Sequence, residues 1–258
     1  DEQTEIVSML HHFMREPLPR TTGYPHVFGS LAMILFMVQV LTGGFLLVYY
    51  SPSPENAYAT VQYITNKLMF GNVVRVMHHW AATGMMVALG LHMMQVFFWG
   101  AYKKPRQIIW VFGVLLLLFT FGFGFTGYLL PWDQKAYWAT VVGTNIAGTI
   151  PWIGETMKQV LRGGETVGAL TLTRFFSLHI YFLPPLMTGL LVFHIFQVRK
   201  KGITPSWVKV GEEQGSREAQ ITQYFWPHQV FRDLVVGILD VQSRHAVRPR
   251  GKLTILGG

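Results

Sequence analysis

The sequence predicts an all-α membrane protein, a transmembrane four-helix bundle with short surface helices. Three observations predict it. Half of the 258 residues are apolar and only 13% are charged, against about 25% in soluble domains. Four stretches, at about 28–50, 77–99, 108–130 and 175–198, reach the ~20 apolar residues a helix needs to cross a bilayer. None of the four contains Asp, Glu, Lys or Arg. The expected division is a segment 1–24, a four-helix domain 25–204 and a polar basic tail 205–258.

Within 1–24, Ile6, Val7, Leu10, Phe13 and Met14 recur on a helical period, which suggests an amphipathic helix lying on the membrane surface. The acidic residues Asp1, Glu2 and Glu5 do not fit the basic start of a signal peptide.

Orientation follows from Lys and Arg. Arg15 and Arg20 precede the first span, Lys103, Lys104 and Arg106 join the second to the third, and Arg199, Lys200 and Lys201 follow the fourth. The other two connections are poor or mixed in charge. The positive-inside rule then puts both termini and the second connection on the cytoplasmic side. The net charge of +8 therefore reads as topology, and no nucleic-acid partner is expected. The connection between the third and fourth spans is apolar and rich in Gly and Pro, so short helices on the outer surface are expected. In the tail, 224–240 suits one more surface helix, because Asp233 and Asp240 leave too few apolar residues to span.

The only residues inside the spans that ionise as readily as histidine or more so are His78, His79 and His92 on the second and His179 and His194 on the fourth. An imidazole in lipid needs a partner, so it reads first as functional. His78 and His92 are 14 residues apart, close to four helical turns, so they share a face at depths ~21 Å apart. His179 and His194 are 15 apart, an overshoot of about 60°, which Pro184 and Pro185 between them can absorb by loosening the helix. Both helices run inward, so His78 meets His179 near the outer face and His92 meets His194 near the inner. His79 points ~100° away from His78 and reads as a polar neighbour.

Opposed histidines suit a proton relay, a zinc site or a haem. Zinc needs a third or fourth ligand, and no span supplies Cys, Asp or Glu. The first span has Gly29 and Gly43, the third Gly113 and Gly127, each pair again 14 apart. Glycine in a helix costs ~1 kcal/mol relative to alanine, so the repetition of the ligand spacing needs a reason. A flat macrocycle at each level would press where side chains are missing; helix–helix packing through small residues is the plainer alternative. The favoured reading is two haems, each held by two histidines, that carry electrons and leave iron no open position. Arg75, Arg106 and Arg199 stand at depths suited to haem propionates, or serve as topology charges and snorkelling anchors. The absence of cysteine excludes covalently attached c-type haem and thiolate-bound clusters in this chain.

Arg75-Val-Met-His78-His-Trp80, Lys103-Lys-Pro-Arg106, Gly127-Tyr-Leu-Leu-Pro-Trp-Asp-Gln134, Leu172-Thr-Arg-Phe-Phe-Ser-Leu-His179, and His194 followed by Arg199-Lys-Lys-Gly202 together resemble the N-terminal half of cytochrome b, especially its b6 branch. The resemblance covers about 25–204, and the spacing of 15 on the fourth span is b6-like. It implies two non-covalent haem b groups, with His78 and His179 on the outer, lower-potential one and His92 and His194 on the inner. It implies electron transfer from quinol to cytochrome c or a similar acceptor, with quinone as substrate, in a membrane complex that is dimeric in the family. A Rieske iron–sulfur protein, a c-type cytochrome or both are the implied partners, and the cell inner (cytoplasmic) membrane is the expected place.

Three departures qualify this. Where cytochrome b6 has a cysteine that anchors an extra haem, this chain has Val27. Gln95 stands where the family has an arginine. The Pro-Glu-Trp-Tyr motif of the outer quinol site is absent, so a separate subunit-IV-like chain is expected to supply it. The tail around Trp226-Pro-His-Gln-Val-Phe-Arg-Asp233 looks like the opening of the family's other half and suits docking of a cytoplasmic-side partner. The alternatives are a haem wire that passes electrons between quinone and a multihaem cytochrome c or cytoplasmic partner without bifurcation, and a haem-free transporter with relay histidines.

Overall fold

The computed structural model describes residues 17–19, 26–202, 221–224, 232–233 and 235–236. Among the described residues, four helical segments are long and apolar enough to span a membrane. They are α1 (Val27–Tyr49), α3 (Gly71–Phe98), α4 (Gln107–Leu129), and the continuous run Ala169–Lys201 formed by α7 (Ala169–Ser177), a π-helical turn (Leu178–Phe182) and α8 (Leu183–Lys201). At most 28% of the apolar window of any span is buried by the chain itself. Such surfaces face lipid or a bound group, since a water-soluble bundle would bury a stripe on each helix.

The all-α expectation holds, and the elements between the spans fill it in. A helix α2 (Ala57–Asn66) follows the first span. The apolar connection after α4 folds into α5 (Gln134–Gly148) and α6 (Gly154–Arg162) before α7 begins. Asp133 starts α5 by accepting a hydrogen bond from the Ala136 amide at 2.8 Å, the usual N-cap arrangement. Gly163 ends α6 in the left-handed region at φ 79°, where a side chain is strained.

Arg162 closes this outer layer. It is buried, and its guanidinium donates to Thr144 Oγ1, Asn145 Oδ1 and the carbonyls of Val141 and Glu165. Thr171 Oγ1 in turn donates to the Arg162 carbonyl at 2.7 Å. The side chain and main-chain carbonyl of this one residue thereby tie α5, α6 and α7 together. Beneath it, Ala57, Leu129, Leu172 and Phe175 form a buried cluster. Tyr50 donates to the Leu130 carbonyl at 2.7 Å, joining the outer ends of the first and third spans.

The chain divides into two compact units, 32–203 and 1–31 with 204–258. In the second unit Pro17–Pro19 pairs antiparallel with Ile221–Tyr224, a two-stranded ribbon that the local pattern did not announce. Residues 232–233 and 235–236 are helical. The amphipathic helix expected before residue 17 and most of the expected tail helix lie outside the described residues.

Candidate functional site

The histidines occupy the faces that helical spacing assigns them. The rings of His78 on α3 and His179 in the π-helical turn face each other with centroids 6.5 Å apart and planes at 69°. A metal held between two imidazole nitrogens at ~2 Å each sets centroids about 6–6.5 Å apart. The gap therefore suits one metal centre and is too wide for a direct hydrogen bond between the rings. His92 and His194 form the second neighbouring pair, close enough to act on each other electrostatically. The backbones of α4 and α8 pack intimately, and those of α3 and α8 approach each other far less.

The extra residue on the fourth span is accommodated differently from the sequence expectation. Pro184 and Pro185 sit at the first positions of α8. The additional residue is taken up just before them, in the π-helical turn, where the Leu183 amide donates to the Leu178 carbonyl five residues back. Prolines without amide donors favour that break, and single π-turns concentrate at functional sites.

Three of the four glycines lie against a histidine. A β-carbon on Gly43 would lie 3.2 Å from Cε1 of His78, one on Gly113 3.4 Å from Cε1 of His194, and one on Gly127 2.7 Å from Cε1 of His179. The glycines thus admit the imidazoles themselves, a closer reason than the macrocycle edge that spacing suggested. Gly29 lies on α1 fourteen residues before Gly43.

Two threonines not singled out by the sequence reading complete the outer level. Thr42 Oγ1 lies 2.9 Å from His78 Nδ1, and Thr126 Oγ1 lies 3.1 Å from His179 Nδ1. Gln39 donates to the His78 carbonyl at 2.7 Å. The signal available for the threonines was their position immediately before Gly43 and Gly127.

Arg75 is half-buried one turn before His78 and makes no hydrogen bond or ion pair among the described residues. Arg106 donates to the carbonyls of Gly202 and Lys201, so part of its fork closes the C-terminus of the fourth span. Arg199 sits in the last turn of α8. His79 is exposed, with its ring edge on Trp80. Gln95, one turn past His92, has a buried amide oxygen with no hydrogen-bond partner among the described residues. Val27 is 1% exposed and has no thiol to offer.

No three His, Asp, Glu or Cys side chains converge among the described residues, so the zinc alternative lacks its further ligands. Two opposed imidazoles, glycine-lined flanks and separated histidine helices fit a planar group ligated from both faces.

The family described as Cytochrome b/b6/petB matches residues 13–202. The chain is 45% identical over 204 residues to the menaquinol:cytochrome c reductase cytochrome b subunit of Geobacillus thermodenitrificans, covering 79% of this chain and 88% of that protein. It is 46% identical over 189 residues to cytochrome b6 of Heliobacterium modesticaldum, covering 73% and 89%. A solved structure titled hyperthermophilic respiratory Complex III superposes with a TM-score of 0.83 at 26% identity, over 93% of this chain. The chain spans 64% of the length of that structure's chain.

Proposed function

The chain belongs to the cytochrome b/b6 family, and from that premise we propose that it is the di-haem subunit of a quinol:cytochrome c oxidoreductase or one with a similar acceptor. The observation that carries the reading is the glycine-flanked pair His78 and His179, 6.5 Å apart between centroids, with His92 and His194 repeating it deeper in the bundle. Two non-covalent b-type haems would supply reversible one-electron chemistry at two depths and leave no iron position open to dioxygen.

The chain's own residues then have defined tasks. His78 and His179 hold the outer group, His92 and His194 the inner. Gly43, Gly113 and Gly127 let the ligand rings approach the helices, and Gly29 does the same for the inner level. Arg75 neutralises a propionate at the outer level, because an uncompensated carboxylate in an apolar bundle is costly. Arg199 and the remaining donors of Arg106 serve the inner one. The apolar walls keep water from both levels, and electrons pass between quinol at one face and quinone at the other.

On this reading the chain sits in the cytoplasmic membrane with both termini inside, as the Lys and Arg distribution favours. The domain 25–204 carries the redox path, with 1–24 and 205–258 at the cytoplasmic side. A subunit-IV-like chain carrying Pro-Glu-Trp-Tyr completes the outer quinol site on this reading. A Rieske protein, a c-type cytochrome and a second copy of the complex complete the assembly. The second reading is a transmembrane wire to a multihaem cytochrome c or a cytoplasmic partner without bifurcation.

Purification of the complex from native membranes separates the two. A Rieske signal in electron paramagnetic resonance, a co-purifying Pro-Glu-Trp-Tyr subunit and quinol:cytochrome c reductase activity are expected. A complex with reducible b haems but no Rieske centre supports the wire, and a chain without haem absorption overturns both.

A further inference from the structure

The two histidine levels differ in one atom type. At the outer level each glycine is preceded by threonine, Thr42-Gly43 and Thr126-Gly127; fourteen residues earlier on the same helices the dipeptides read Phe28-Gly29 and Phe112-Gly113. The threonines are buried, at 7% and 5% exposure, and both hydroxyls already have a use for their proton. Thr42 Oγ1 donates to the Val38 carbonyl at 2.5 Å and Thr126 Oγ1 to the Gly122 carbonyl at 2.8 Å. A hydroxyl has one proton and two lone pairs. What each oxygen presents to the imidazole, 2.9 and 3.1 Å away, is therefore a lone pair. The proton between them belongs to Nδ1, and Nε2 of His78 and His179 is left unprotonated toward its opposite ring.

The inner level has no such acceptor on its third-span flank. Phe112 packs tilted against Phe193, with centroids 4.3 Å apart and planes at 40°, and Nδ1 of His194 is buried without a hydrogen-bond partner among the described residues. The backbone carbonyl four residues before the glycine acts on the imidazole at both levels, Gln39 and Phe123 at the outer and Ile109 at the inner. On the third-span flank the threonine oxygen is the difference.

We propose that Thr42 and Thr126 are positioning residues that fix the Nδ1–H form of His78 and His179 and make these two ligands more electron-donating than the inner pair. The inference rests on the bis-histidine haem reading. An Nδ1–H donated to an oxygen raises the basicity of the ligating nitrogen. A more basic ligand favours ferric over ferrous iron and lowers the outer potential relative to the inner. Electrons entering at the outer level are thereby biased inward by two hydroxyl groups.

The test is potentiometric titration of the purified complex carrying Thr126→Val, Thr42→Val or both, with Thr→Ser at each position as the rescue. The expected result is that valine raises the outer midpoint, with about a tenfold change in its reduced-to-oxidised ratio for the double variant, equal to ~59 mV for one electron. The inner midpoint stays in place and serine restores the outer one. Unchanged midpoints in variants that retain both haems overturn the inference and leave the haem assignment intact; wild-type complex without two b haems defeats the haem assignment itself. Should valine variants fail to assemble, the unaltered complex decides. With 15N-histidine label, Nδ1 hyperfine couplings that differ between the two haems support the inference, and identical couplings overturn it.

Discussion

The ring of His179 lies so close over Gly127 that a β-carbon there would come within 2.7 Å of Cε1. The ring has little freedom to retreat, because its Nδ1 is held at 3.1 Å by the Thr126 hydroxyl and Phe123 lies edge-on to it. The distances that a β-carbon would have at Gly127, Gly43 and Gly113 form a graded series, which makes the cradle testable.

Gly127→Ala is expected to displace His179 and lower occupancy of the outer haem several-fold. At Gly113 the same β-carbon would sit 3.4 Å from His194 Cε1, near ordinary contact. There the helical preference for alanine, ~1 kcal/mol, offsets the crowding, and Gly113→Ala should retain both haems. Gly43→Ala, at 3.2 Å, falls between. Haem content per chain, read from alkaline pyridine spectra, checks the order.

Arg75→Leu should weaken the outer haem selectively. Its guanidinium has no described partner in the chain, so its removal costs no internal hydrogen bond and acts through the carboxylate it neutralises. Leakage of haem from the outer level into apomyoglobin should accelerate at least tenfold, with the inner level unaffected. Equal rates for both would place Arg75 among the topology charges instead.

Arg162→Ala should destabilise the outer layer by about 2–4 kcal/mol, since charged hydrogen bonds are lost and their buried acceptors left unmatched. Arg162→Lys should recover little of it. A lysine cannot reach Thr144, Asn145, Val141 and Glu165 at once, because its donors radiate from one nitrogen whereas a guanidinium spreads five over a plane. Thermal unfolding in detergent measures both variants.

Much of the site was legible because helical rise and rotation depend only on residue number. Fourteen residues put His78 and His92 on one face, and that arithmetic needs no neighbour. The glycine repeat was legible for the same reason. The π-helical turn was not, since it follows from how prolines and packing share one surplus residue over a few positions. The threonines escaped because Thr in an apolar helix ordinarily bonds its own i−4 carbonyl, which Thr42 and Thr126 also do; only the facing helix reveals the second bond. The pairing of Pro17–Pro19 with Ile221–Tyr224 joins segments separated by most of the chain, and no local pattern encodes it. Arg162 read as one charge among several in a mixed loop, and its burial depends on three helices meeting.

The central claim is that two levels of paired histidines each hold one b-type haem. Its most direct measurement is the number of haems per purified chain, in wild type and with one histidine of each pair replaced by alanine. The account predicts two for wild type and one each for His179→Ala and His92→Ala, with different haems lost as judged by midpoint potential. Fewer than two in wild type, or two retained after either substitution, would contradict it.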